Sequence, residues 1–230
     1  MSFLAEPVSG NLAAADPHRQ ALVGARPSTD TGGPTATTQH EQVRALVQQL
    51  FFPHDSPAPR RVGMTAADPN TNIARLCFTM AITLAETGAC DVGLVDAHPG
   101  ALSLHRVLDV PPSADLESAL QIAPRVWLLP RMSWLPVNEE QVISDQSLAR
   151  LGDRISQFDF SILCCAPVSW PTIKIAQACD GLVLVLTANL TRKLVALQMC
   201  EQLQSARIPL LGTVLTERRF PVPQKLYRNL

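Results

Sequence analysis

Three stretches of the sequence hold side chains able to do chemistry. TAADPNTNIAR (65–75) offers Asp68, Asn70, Asn72 and Arg75; LVDAHPG (94–100) offers Asp96 and His98; SILCCAP (161–167) offers Cys164 beside Cys165. A carboxylate, an imidazole and a thiol make a donor set for a soft transition metal, so Asp96, His98 and Cys164 are weak metal candidates. No CxxC pair or zinc-type spacing supports them, and the plainer reading makes Asp96 a cap, His98 a turn residue and Cys164 a buried strand residue. GxGxxG, GxSxG and HExxH are all absent, which argues against a nicotinamide enzyme, a serine hydrolase and a zinc protease. His105 in SLHR, and Trp127, Trp134 and Trp170, read as surface and packing residues.

The elements that must position these groups alternate along the chain. RRVGMTA, CDVGLVDA, VWLLP, DFSILCCAP, GLVLVLT and PLLGTVLT read as strands. Helices are expected over NIARLCFTMAITLAETG (stopping at Gly88), SLARLGDRISQ, WPTIKIAQACD and TRKLVALQMCEQLQSAR, with a short one around DLESALQ. Strands apolar on nearly every residue are buried on both faces, as in a parallel sheet covered by helices. The expectation is one doubly wound, mostly parallel α/β domain over 60–216. Ligands of such a sheet bind beyond the carboxyl ends of the strands, near the first strand–turn–helix, which here is 65–75. Ahead of the domain, HEQVRALVQQLFF forms an amphipathic helix and leads into a Pro-rich linker (39–59). Residues 1–38, rich in Ala, Pro, Gly, Ser and Thr, read as a flexible tail, and 217–230 as a basic, Pro-broken arm.

Of 230 residues, 47% are hydrophobic and 17% charged, which supplies a core and excludes wholesale disorder. With 19 basic against 20 acidic side chains, nonspecific nucleic-acid binding is excluded as the main task. No run of eighteen apolar residues suggests a membrane span, and the N-terminus lacks the features of a secretory signal, so a cytoplasmic location is expected. The six cysteines read as reduced, buried thiols, with Cys164 and Cys165 on opposite faces of their strand.

From about Glu41 onward the chain resembles the cytosolic domain of bacterial tyrosine autokinases of capsule and exopolysaccharide biosynthesis, relatives of the MinD/ParA-type P-loop ATPases. The resemblance rests on Glu41 and Arg44 of an E-x-x-R helix, the 65–75 loop, LVDAHPGALSLHRVL, VWLLP, FDFSILCCAPV, CDGLVLVLTANLTRK and LGTVLTERRF. It implies a P-loop NTPase-like fold with a degenerate nucleotide site. A phosphate loop needs glycines, a lysine for the β/γ-phosphates and a hydroxyl for Mg²⁺. Aligned on the family pattern, the glycines fall on Asn70 and Asn72, the lysine on Ile73, and the hydroxyls on Ala74 and Arg75. The acidic pair becomes Asp96 and His98, and the third acid becomes Cys164, while Asp68 adds a negative charge at the loop's mouth.

The resemblance therefore implies an interaction or regulatory module of polysaccharide synthesis and export, with no cofactor expected. Its partner would be a membrane polysaccharide co-polymerase or an active paralogous kinase, with recruitment to the inner face of the membrane and homo-oligomerisation as further expectations. Candidate contact residues are Glu41 and Arg44 on the helix and Arg218, Arg219, Lys225, Tyr227 and Arg228 on the arm, whose cations are also suited to anionic lipid. The family's E-x-x-R-x-x-R helix has Val47 at its last place here. Two alternatives stay open: an active protein-tyrosine kinase or ATPase using Mg-ATP, Arg75 and Asp96, and a MinD/ParA-like positioning protein.

Overall fold

The computed structural model describes residues 5–6, 36–54, 57–69, 71–99, 102–110, 118–136 and 143–217. A two-residue strand β1 (Ala5–Glu6) and helix α1 (Ala36–Phe51) precede β2 (Arg61–Ala66), α2 (Ala74–Gly88), β3 (Val92–Ala97) and the single-turn α3 (Leu104–Val107). A hairpin of β4 (Leu120–Ala123) and β5 (Val126–Leu129) leads to α4 (Asp145–Ile155), β6 (Phe160–Cys165), α5 (Trp170–Ala176), β7 (Gly181–Thr187), α6 (Lys193–Ser205) and β8 (Leu210–Thr216). The sheet runs β1-β8-β7-β2-β6-β3-β5-β4, parallel except at its two outer strands. The expected doubly wound α/β architecture is what forms.

Burial on both faces is visible strand by strand. In β6, Ile162 and Cys164 join the core under α1 and α2, while Leu163 and Cys165 join the core under α4 and α5. The two adjacent thiols thus part to opposite faces, as strand geometry requires. Helix α2 fills the first layer by burying eight of its residues, among them Cys77, Met80, Ala81 and Leu84. Helix α1 covers it with Val43, Leu46, Val47 and Phe51. Ser144 caps α4, its hydroxyl accepting from the Ser147 N–H at 3.1 Å.

Two local expectations change. The helix expected around DLESALQ gives way at its C-terminal end to strand β4, which pairs antiparallel with β5 around a turn at Pro124–Arg125. Backbone partners along the open edge of β5 outweigh the weak helical preference of so short a segment. The Arg125 guanidinium also donates to the Ala89 carbonyl, tying this turn to the end of α2. At that end Gly88 is the last helical residue, and Ala89 takes the left-handed conformation at φ 46°. Gly88 answers to space instead: a Cβ there would stand 2.9 Å from the Cys90 sulfur. Of the segment expected as a tail, Ala5–Glu6 and residues 36–38 are described, in β1 and the start of α1. Of the arm, Glu217 alone is described.

Candidate functional site

The strand order reverses around β2, whose neighbours β6 and β7 come late in the chain. The loop after β2 therefore sits at the switch point where such sheets bind ligands. Its polar groups are turned inward. The Ala67 N–H donates to the Val185 carbonyl at 2.9 Å and the Thr71 N–H to the Asp68 carbonyl at 3.1 Å. The Asn72 side chain accepts from the Ala74 N–H at 3.1 Å. Thr71 and Thr187 share a hydroxyl hydrogen bond of 2.9 Å that fastens the loop to the end of β7. Below it, the Thr65 hydroxyl donates to the Ala166 carbonyl at 2.7 Å. The amides of Ala67, Thr71 and Ala74 thus serve neighbouring backbone and side chains, where a phosphate cradle would direct its amides at the ligand.

The positions matched to the lysine and first hydroxyl of a phosphate loop are core positions: Ile73 is 3% exposed and Ala74 fully buried, both packed among α2 and the sheet. Arg75, one residue on, is exposed. Asp68 is partly buried, Asn72 exposed, and Asn70 lies outside the described residues.

Asp96 is wholly buried at the end of β3 and accepts from three donors. The His98 N–H reaches Oδ1 at 3.4 Å, while the His105 N–H at 3.5 Å and the His105 ring Nδ1 at 3.1 Å reach Oδ2. Ser103, at the N-cap of α3, makes no side-chain capping bond, so the carboxylate supplies that function from β3. His105, read from sequence as a surface residue, proves to be the polar partner of Asp96. Its nine-residue separation from Asp96, spanning strand end to helix start, was the available signal. The His98 ring turns away and bonds the Pro99 carbonyl at 2.7 Å. Arg131, in the 3-10 turn Arg131–Ser133 after β5, reaches the Ala97 carbonyl at 3.5 Å and brings a cation to the same strand end. Sequence reasoning passed it over because no motif marks it.

Cys164 is the register partner of Asp96 on the adjacent strand. A hydrogen bond with the Cys77 thiol, followed by burial, holds its own thiol well above the ordinary cysteine range. It stays protonated at neutral pH and cannot stand in for a carboxylate. With Cys164 turned to Cys77 and the His98 ring to Pro99, the weak metal trio is not assembled; among the described residues no group of three metal-ligating side chains is brought together.

The remaining candidates are dispersed. Trp134 is buried in the core under α4, Trp127 is half-buried on β5, and Trp170 stands 62% exposed at the start of α5, so they share no groove. Glu41 and Arg44 are exposed on α1, whereas Val47 is fully buried against α2 and the sheet. Arg218, Arg219, Lys225, Tyr227 and Arg228 lie outside the described residues. No helix among the described residues is long and apolar enough to cross a membrane.

No family model and no curated protein matches the chain. Solved structures do. The chimerical protein CapA2B2 superposes with a TM-score of 0.64 at 19% identity, covering 76% of this chain and 83% of its own. The kinase domain of the Escherichia coli tyrosine kinase ETK gives 0.64 at 16% identity, over 80% and 79%. A ParA family ATPase from Chlorobium tepidum gives 0.52 at 18% identity, over 75% and 79%. The chain has the fold shared by bacterial tyrosine kinase domains and ParA-type ATPases.

Proposed function

We propose that this chain is a catalytically degenerate, tyrosine-autokinase-like protein that serves as an interaction or regulatory module in exopolysaccharide or capsule biosynthesis and export. The observation that carries this reading is the sealed loop. Ile73 and Ala74 occupy core positions where a lysine and a magnesium-holding hydroxyl are needed, and the loop amides of Ala67, Thr71 and Ala74 are bonded within the protein. Losing a charge-stabilising donor from a water-poor site removes several kcal/mol, about 3 kcal/mol for a single donor, and here the cation, the hydroxyl and the third acid are all missing. The residues present do not fit a magnesium nucleotide.

What is left for the fold is docking. A membrane polysaccharide co-polymerase or an active paralogous kinase is the proposed partner, engaged at the inner face of the membrane. Glu41 and Arg44 are exposed on α1 and available to it. The reading is tested by incubating the full chain with γ-labelled ATP and Mg²⁺, alone and with a tyrosine-containing acceptor. No label is expected on Tyr227 or on the acceptor; transfer abolished by Asp96→Asn would overturn the reading. One observation favours the second reading, an active enzyme with an atypical site: the buried Asp96 retains a histidine partner. Nucleotide binding lost on Arg75→Ala would support it.

A further inference from the structure

Helix α6 carries its leucines outward. Leu203 is its one buried residue, while Leu194 is 73% exposed and Leu197 48%. Leu190, in the turn leading into the helix, is 55% exposed, and Trp170 faces α6 across an open groove of about 730 Å³. Four of the six large exposed apolar side chains among the described residues thus lie on α6, its leading turn and the start of α5. Single exposed leucines are ordinary on protein surfaces, but such a concentration marks an interaction site.

The charge at the leading end of this patch is positive. Arg192 and Lys193 are exposed between Leu190 and Leu194, and neither is in an ion pair among the described residues. The Thr216 carbonyl accepts from the Ala188 N–H at 2.9 Å, so the end of β8 abuts the same turn. Glu217 follows, and the sequence continues directly with Arg218 and Arg219. The acidic residue of α6, Glu201, lies one turn beyond Leu197 and lines the groove with Trp170. Leucines flanked by basic side chains are the composition that inserts into the headgroup region of an anionic bilayer.

We propose that the leading turn and first two turns of α6 form a peripheral docking surface for an anionic lipid bilayer. Leu190, Leu194 and Leu197 enter the interface, and Arg192 and Lys193 meet lipid phosphates. This assignment does not rest on the loss of nucleotide chemistry argued above.

Co-sedimentation of the full chain with vesicles tests it, comparing phosphatidylcholine alone with phosphatidylcholine containing phosphatidylglycerol. Binding is expected on the anionic vesicles, weakening as salt rises. Arg192→Gln with Lys193→Gln is expected to weaken it about twenty-fivefold, at about fivefold per lost cation. Leu194→Gln with Leu197→Gln is expected to cost at least about tenfold. Should the leucine pair fail to fold, the cation pair still decides. No binding to anionic vesicles overturns the proposal, as does binding that neither pair of substitutions alters. So does a dimer in sedimentation velocity that the leucine pair dissolves, which would make the patch a self-interface.

Discussion

Helices α2 and α6 both flank the sheet, are of similar length and are rich in leucine, yet they sit in it very differently. Helix α2 is wedged between α1 and the sheet and buries eight of its fifteen residues; α6 buries one of thirteen. The first is held by packing on two sides, and the second rests on the edge next to β8. Apolar content therefore does not by itself tell which helix makes the core. Leucines that a helix keeps in water add little to the fold and are free to serve something else.

Substitutions sharpen the contrast. Leu84→Ala on α2, fully buried, is expected to lower unfolding free energy by about 2–5 kcal/mol, read from denaturant melts. Leu84→Ala costing no more than Leu194→Ala would erase the distinction between the helices. Next comes alkali. Burial, with the Asp180 charge behind it, pushes the Cys179 thiol up to about 12 from an ordinary value of 9.0, and burial raises Cys165 as well. A thiol whose folded pKa is raised prefers to stay protonated, so its contribution is complete below pH 9 and is lost as pH climbs towards 12. Melting temperature is expected to fall over that window, less steeply in Cys179→Ala.

Asp96→Ala removes a buried acceptor shared by His98 and His105 and is expected to cost about 1–3 kcal/mol, with Asp96→Asn costing less. Removing the α4 cap by Ser144→Ala should cost about 1 kcal/mol, measured the same way. Smallest is Leu194→Ala on α6, expected within about 0.5 kcal/mol of the parent chain.

Much of this was legible in the sequence, for identifiable reasons. Strands such as GLVLVLT and FSILCC are apolar on both faces, and that pattern has few meanings other than a covered parallel sheet. The absence of a lysine from 65–75 needs no coordinates. Harder to read was β4, where a four-residue strand with three half-buried residues carries no period to recognise. Harder too was the Asp96–His105 pair, because a contact across nine residues depends on how tightly the chain turns after β3. The inward bonding of the loop, from Ala67 to Val185 and from Thr71 to Thr187, joins segments more than a hundred residues apart and has no local signature.

Three of the loop's amides are already bonded and Ile73 stands where a phosphate loop has its lysine, which leaves little with which to hold a triphosphate. Isothermal titration of the full chain with Mg-ATP tests it most directly. No saturable heat is expected up to millimolar nucleotide; submillimolar, one-to-one binding that Arg75→Ala abolishes would show that the loop still holds nucleotide.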